Sequence, residues 1–106
     1  MPKYLISAAY SAEGLKGLQK DKASGRRQAV TTAVEGLGGR VECFYNALGA
    51  DDVYVIVDLP DNSTAAAIGV TASATGLVRT RTTALLTVEE TDRALEKTIN
   101  YRAPGG

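Results

Sequence analysis

The stretch Asn46–Asp61, NALGADDVYVIVDLPD, constrains the fold more than any other part of the chain. A Gly followed by acidic residues lets a chain reverse tightly between antiparallel strands, because Gly admits unusual backbone angles and Asp bonds to nearby backbone N–H groups. After that turn, Val53, Val55, Val57 and Leu59 form an apolar row at period two, and Tyr54, Ile56 and Asp58 form the alternate row. A strand whose second row still carries an aromatic and an aliphatic side chain is covered on both faces. Pro60 and Asp61 then stop the strand and open a helix, since Pro has no N–H for a ladder and Asp caps well.

The rest of the chain reads in the same way. Lys3 to Tyr10 alternates as a first strand, with Tyr4, Ile6, Ala8 and Tyr10 on one face and Leu5, Ser7 and Ala9 on the other. Ser11 caps a short helix, Ala12 to about Lys20, in which Gly14 and Gly17 each cost about 1 kcal/mol relative to Ala. Asp21 to Gly25 is a polar break, and Ser24 caps a second helical segment to about Leu37. In that segment Val30, Ala33, Val34 and Leu37 fall at i, i+3, i+4 and i+7, one buried stripe ended by Gly38-Gly39. Strands are expected over Arg40–Leu48 and Asp52–Leu59, joined by the tight turn. An Ala-rich helix follows, Asn62 to about Thr75, ending at Gly76. Leu77–Leu86 is a fourth strand, with Arg79 and Arg81 on one face and Val78, Thr80 and Thr82 on the other. Thr87-Val88-Glu89-Glu90 fits a capping box and starts a last helix to about Thr98, with Val88, Thr91 and Leu95 inward.

This order predicts an α+β fold, the ferredoxin-like βαββαβ arrangement with an added C-terminal helix. The sheet is antiparallel, Lys3–Tyr10 and Asp52–Leu59 are its central pair, and two helices cover one face. Residues 1–100 form a single domain, and residues 101–106 form a flexible tail. The uncovered face holds Leu5, Ser7, Ala9, Glu42, Phe44, Asn46, Tyr54, Ile56, Asp58, Arg79, Arg81 and Thr83. Such a face, apolar at its centre and charged at its rim, meets a partner. Two of these sheets packed face to face give a dimeric α/β barrel, so the expected partner is a second copy, as a homodimer or higher homo-oligomer.

Composition narrows the chemistry. Twelve basic and twelve acidic residues cancel, which argues against nucleic acid or an anionic membrane as partner. No apolar run approaches the ~18 residues of a membrane span, and the start of the chain lacks the apolar core of a signal peptide. A single Cys43 makes no intramolecular disulfide, so the expected location is the cytoplasm, with the thiol reduced. Histidine is absent, which removes the commonest general base, the commonest metal ligand and every Ser-His or Cys-His nucleophile. No ligand set for zinc or haem remains, and neither a metal nor a cofactor is expected.

Several residues admit two readings. Asp51 and Asp52 can hold a cation or act as a base, but Asp also favours such turns for its local backbone bonds, the plainer reading. Arg79 and Arg81 can clamp a carboxylate or phosphate, or can be interface ions matched by Asp58 and Glu42. Tyr10, Tyr45 and Tyr54 can donate a phenolic hydrogen bond into a pocket, or simply pack on the sheet. Cys43, within a strand and with no His to activate it, reads as a buried inert thiol. Arg26 and Arg27 stand at a helix start, against the helix dipole, and read as a solvated face or an oligomer contact.

Four stretches together resemble a known family: MPKYLISAAYSAEG at the start, the Gly-x-x-Asp-Val turn and strand, DLPDN at the helix start, and LLTVEETDRAL after the last strand. They are similar to the GYD family, small proteins placed among the dimeric α/β barrels and named for a Gly-Tyr-Asp signature. Gly49 and Asp52 sit where the signature Gly and Asp fall, and Asp51 stands in the place of the Tyr. The resemblance implies the fold far more than a function. Two functions from different classes remain. One is a non-catalytic small-molecule-binding or assembly module, with Arg79, Arg81, Tyr54 and Asp58 taking a small anionic or aromatic ligand. The alternative is a cofactor-independent enzyme of the dimeric α/β barrel type (a monooxygenase, isomerase or lactone-forming enzyme) that uses Tyr, Arg and Asp in a pocket beside the sheet.

Overall fold

Each alternating stretch is a strand in the computed structural model, which describes Met1–Gly106. The strands are β1 (Lys3–Tyr10), β2 (Arg40–Asn46), β3 (Val53–Asp58) and β4 (Val78–Leu85), and the helices are α1 (Ala12–Gly36), α2 (Asn62–Ala74) and α3 (Val88–Leu95). The sheet runs β2-β3-β1-β4, every pair antiparallel, with β1 and β3 central as expected. Tyr4 lies opposite Val57 and Ile6 opposite Val55, so the apolar rows of the two central strands meet on one face. The core forms there from Tyr4, Ile6, Val55, Val57 and Leu59 with Val34 of α1 and Ala65 of α2. Val57 and Leu59 are fully enclosed. The Tyr4 hydroxyl, deep in that layer, donates to Asn62 Oδ1 at 2.5 Å, which satisfies its one polar group.

Asp61 accepts from the Thr64 N–H at 2.9 Å and caps α2, as its place after Pro60 predicts. Ser11 caps α1 by accepting from Gly14 N–H at 3.1 Å. The two expected helical segments after Ser11 are one element interrupted at Lys22, whose φ of 66° and ψ of 167° are not helical. The kink falls inside the predicted break Asp21–Gly25, where no large apolar side chain ties the helix to the sheet. Gly14, counted from sequence only as a helix weakener, has a packing role: a Cβ there would run into the Leu77 carbonyl. That carbonyl also accepts the Ser11 N–H at 2.9 Å, so the start of α1 is pressed onto the start of β4.

Three expectations are corrected. β2 carries a bulge between Val41 and Cys43: Val41 faces Val57 and Phe44 faces Val55, while Cys43 faces Ile56. The extra residue, Glu42, reverses the alternation beyond it. Phe44 and Asn46 therefore turn to the helix side, where Phe44 packs on the core, and Cys43 and Tyr45 take the open face. Second, the link from β2 to β3 is not the tight turn expected between Leu48 and Asp52 but the six residues Ala47–Asp52. Gly49 within it has neither a left-handed φ nor a close neighbour. Third, the capping box at Thr87 is formed, but α3 ends at Leu95 and does not turn inward. Val88 is 74% exposed and Leu95 77%, and Thr91 is exposed as well. Amphipathic spacing says that a helix has an apolar side; it does not say what that side meets.

Candidate functional site

The open face of the sheet carries two polar clusters, one at each end. At the first, Asp58 accepts Lys3 Nζ at 2.8 Å on one oxygen and Arg40 Nη2 at 3.0 Å on the other. Glu42 accepts Lys3 at 3.4 Å. The register explains the group: Lys3, Asp58 and Arg40 stand side by side across β1, β3 and β2. The Lys3 hydrogen bond, with help from Arg40 and against the cost of burial, holds the Asp58 carboxyl below its ordinary range; the same bond raises the Lys3 ammonium.

At the second cluster, Ser7 of β1 faces Tyr54 of β3 on one side and Arg81 of β4 on the other. Above this row the β2–β3 link folds back and brings in Asp51, which is 6% exposed. Asp51 Oδ2 accepts from both the Arg81 guanidinium and the Tyr54 hydroxyl, the latter at 3.3 Å. Arg79 faces Ala9 further along β4, is exposed, and has no carboxylate partner within 4.0 Å. Ala9, Ala50, Asp51, Arg79 and Arg81 line a shallow hollow of about 280 Å³. The small side chains of Ala9 and Ala50 leave the room, and the two arginines supply the charge.

Arg79, Arg81 and Tyr54 thus share one end of the face, and Asp58 does not join them. It sits four residues away along β1, about 13 Å at strand spacing. The pairing of the arginines with Asp58 and Glu42 is therefore corrected: those acids serve Lys3 and Arg40, and Arg81 is matched by Asp51. The turn aspartates do not make the local bonds expected of them. Asp52 Oδ2 accepts the Tyr10 N–H at 2.8 Å and its own N–H donates to Ala8 O at 2.8 Å, so the signature Asp ties the link to the end of β1. The sequence offers Asp51 as a cation ligand or base and gives no direct sign that it meets Arg81. The one signal for it was that β4 alone puts two guanidinium groups on one sheet face, a charge that a nearby acid tends to meet. Tyr45 is 69% exposed on the open face, and Cys43 beside it is half-buried. No group of three or more His, Cys, Asp or Glu side chains is placed to hold a metal ion.

An antiparallel sheet in the order β2-β3-β1-β4, with two helices on one face and the other face open, defines a ferredoxin-like α+β protein. The GYD domain family model matches residues 4–95, from the first core tyrosine to the end of α3, and the chain belongs to the GYD domain family. No curated protein compared with the chain matches it. No helix is long and apolar enough to cross a membrane.

Proposed function

We propose that this GYD-domain protein is a non-catalytic, homo-oligomeric binding module of the cytoplasm. Two copies pair through their open sheet faces as a dimeric α/β barrel, and the Arg79–Arg81 end of that face takes a small anionic or polar aromatic molecule. The observation that carries this reading is the unequal charge of the two clusters. Around Asp58 the cations meet acids of the same chain, whereas Arg79 meets none and Arg81 shares Asp51 with Tyr54. A guanidinium pair binds a carboxylate or phosphate through paired, charge-assisted bonds, and these strengthen when a covering surface excludes water. Leu5 and Ile56, half-buried on the open face, supply the apolar centre for that cover.

The test is a calorimetric or thermal-shift titration with small mono- and dicarboxylates and aromatic acids. Binding is expected in the native protein. Arg79→Ala is expected to weaken it about tenfold or more, the scale of one lost hydrogen bond to a charged group. Affinity unchanged in both Arg79→Ala and Arg81→Ala would remove the ligand from this hollow.

A further inference from the structure

The sheet and its two helices end at Leu85, yet the chain continues for another arm in which Leu86, Val88, Leu95, Ile99 and Tyr101 are each between 66% and 77% exposed. A second unmatched apolar surface lies on the far side of the molecule from the open sheet face. Val30, Ala33, Val34 and Leu37 of α1 and Ala67 and Ile68 of α2 line a groove of about 330 Å³. We propose that these two surfaces belong together between molecules: the arm Leu86–Tyr101 is exchanged, with the apolar stripe of α3 seated in the α1–α2 groove of a second copy of this chain.

Three observations select a second copy. The first is area. The chain exposes 7477 Å², whereas a compact monomer of 11.1 kDa exposes about 5,700 Å². The surplus, about 1,800 Å² per chain, exceeds the roughly 800 Å² per partner of an ordinary interface and matches that of an obligate one. The radius of gyration tells the same story, 16.9 Å against about 13 Å for a compact domain of this length.

The second is reach. Only Leu86 and the cap Thr87 separate β4 from α3, and Thr87 is extended, with φ −71° and ψ 164°. Ser11 alone joins β1 to α1 in the same extended form, so a short link does not by itself keep a helix off the sheet. α3 nonetheless runs on from the strand and buries none of its residues, which leaves its stripe free to reach a second copy.

The third is charge. Glu89, Asp92 and Glu96 form an acidic row beside the Val88, Thr91 and Leu95 stripe, and with Glu90 they outnumber the arm's two bases, Arg93 and Lys97. At the kink of α1, Lys20, Lys22, Arg26 and Arg27 stand against Asp21 alone, and Arg26 lines the groove. The arm is acidic where the end of the groove is basic, which sets both attraction and direction. The small side chains of Ala29, Ala33, Ala67 and Ala72 let a helix approach closely.

The experiment mixes two differently tagged full-length chains, both Cys43→Ser. One carries Val88→Cys or Leu95→Cys, and the other carries Ala33→Cys or Ala67→Cys. Mild oxidation is expected to join the two tags in one disulfide-linked dimer. No mixed product from any pair, or a link formed only within one chain when both cysteines are in the same molecule, would overturn the exchange. In parallel, Leu95→Asp is followed by light scattering and circular dichroism. The arm adds nothing to its own chain's core, so the variant is expected to keep its fold and to raise the dissociation constant about tenfold or more. Association unchanged from the native protein would also overturn the proposal. The mixed link is expected in an Ile56→Asp background too, so that failure of the sheet pairing leaves this result standing.

Discussion

Asp58 shows how much a single carboxylate can organise: its side chain is 7% exposed and meets a lysine on one oxygen and an arginine on the other. Its pKa in the folded protein lies below the ordinary 3.8, first because of the Lys3 hydrogen bond. A depressed carboxylate pKa contributes stability above the unfolded value, and that contribution is lost as pH falls through the folded value. Stability measured in urea should therefore decline as the pH drops below about 4. Asp58→Asn should cost about 1–2 kcal/mol at neutral pH, discounted because Lys3 and Arg40 are partly in water, and should flatten the acid decline. Equal acid slopes in the variant and the native protein would show that the pair contributes nothing. Asp51 is the contrasting case. It too is buried and bound to an arginine, but that arginine belongs to a strand edge beside an open hollow, so the same chemistry there can be shared with a ligand.

Among the elements, β2 carries the sharpest contrast. One extra residue exchanges the faces of everything after it, so that Phe44 packs under the helices and Tyr45 looks outward. The two neighbours should respond oppositely to the same change. Phe44→Asp puts a charge against the core and is expected to unfold the domain or lower its stability by about 3 kcal/mol or more. Tyr45→Asp, on the open face, is expected to leave the domain folded and to cost its own fold much less than Phe44→Asp does. Chemical denaturation of both variants checks this; the reverse order of stabilities would mean that β2 pairs without the bulge. α1 shows a related economy. Its glycine at 14 lowers helix propensity, yet the close approach to Leu77 leaves no room for a side chain.

At the scale of the whole molecule, the chain has more apolar surface than it can cover. Only 12 of 106 residues are buried, and exposed apolar groups sit on the open sheet, in the helix groove and along the arm. The reading as a homo-oligomer follows from that imbalance. Ile56→Asp places a charge at the centre of the open face. Light scattering should find it a folded particle of lower mass than the native protein, because burying that side chain is worth roughly 1.5–3 kcal/mol per copy. A native mass retained in Ile56→Asp would move the sheet-side contact elsewhere.

What the sequence determined by itself was most of what depends on near neighbours, the turn between β2 and β3 excepted. Alternation placed β1 and β3 and their core rows; Ser11, Asp61 and Thr87 announced three helix starts through their own short-range bonds; element order then left few topologies, and the central pair followed. Periodicity and capping are local, so they are legible one window at a time. The tertiary structure decided what depends on distant partners. Glu42 is an ordinary strand residue until β3 is laid beside it and one rung has two residues on one side. Asp51 and Arg81 are thirty residues apart and meet only because the β2–β3 link folds over the end of β1 toward β4. The stripe on α3 is plain in the sequence, but whether it lies on its own core depends on the direction the chain takes after β4 and on the cover already provided by α1 and α2. A pattern of side chains records which surface seeks burial, and only the packed chain shows which surfaces are still uncovered.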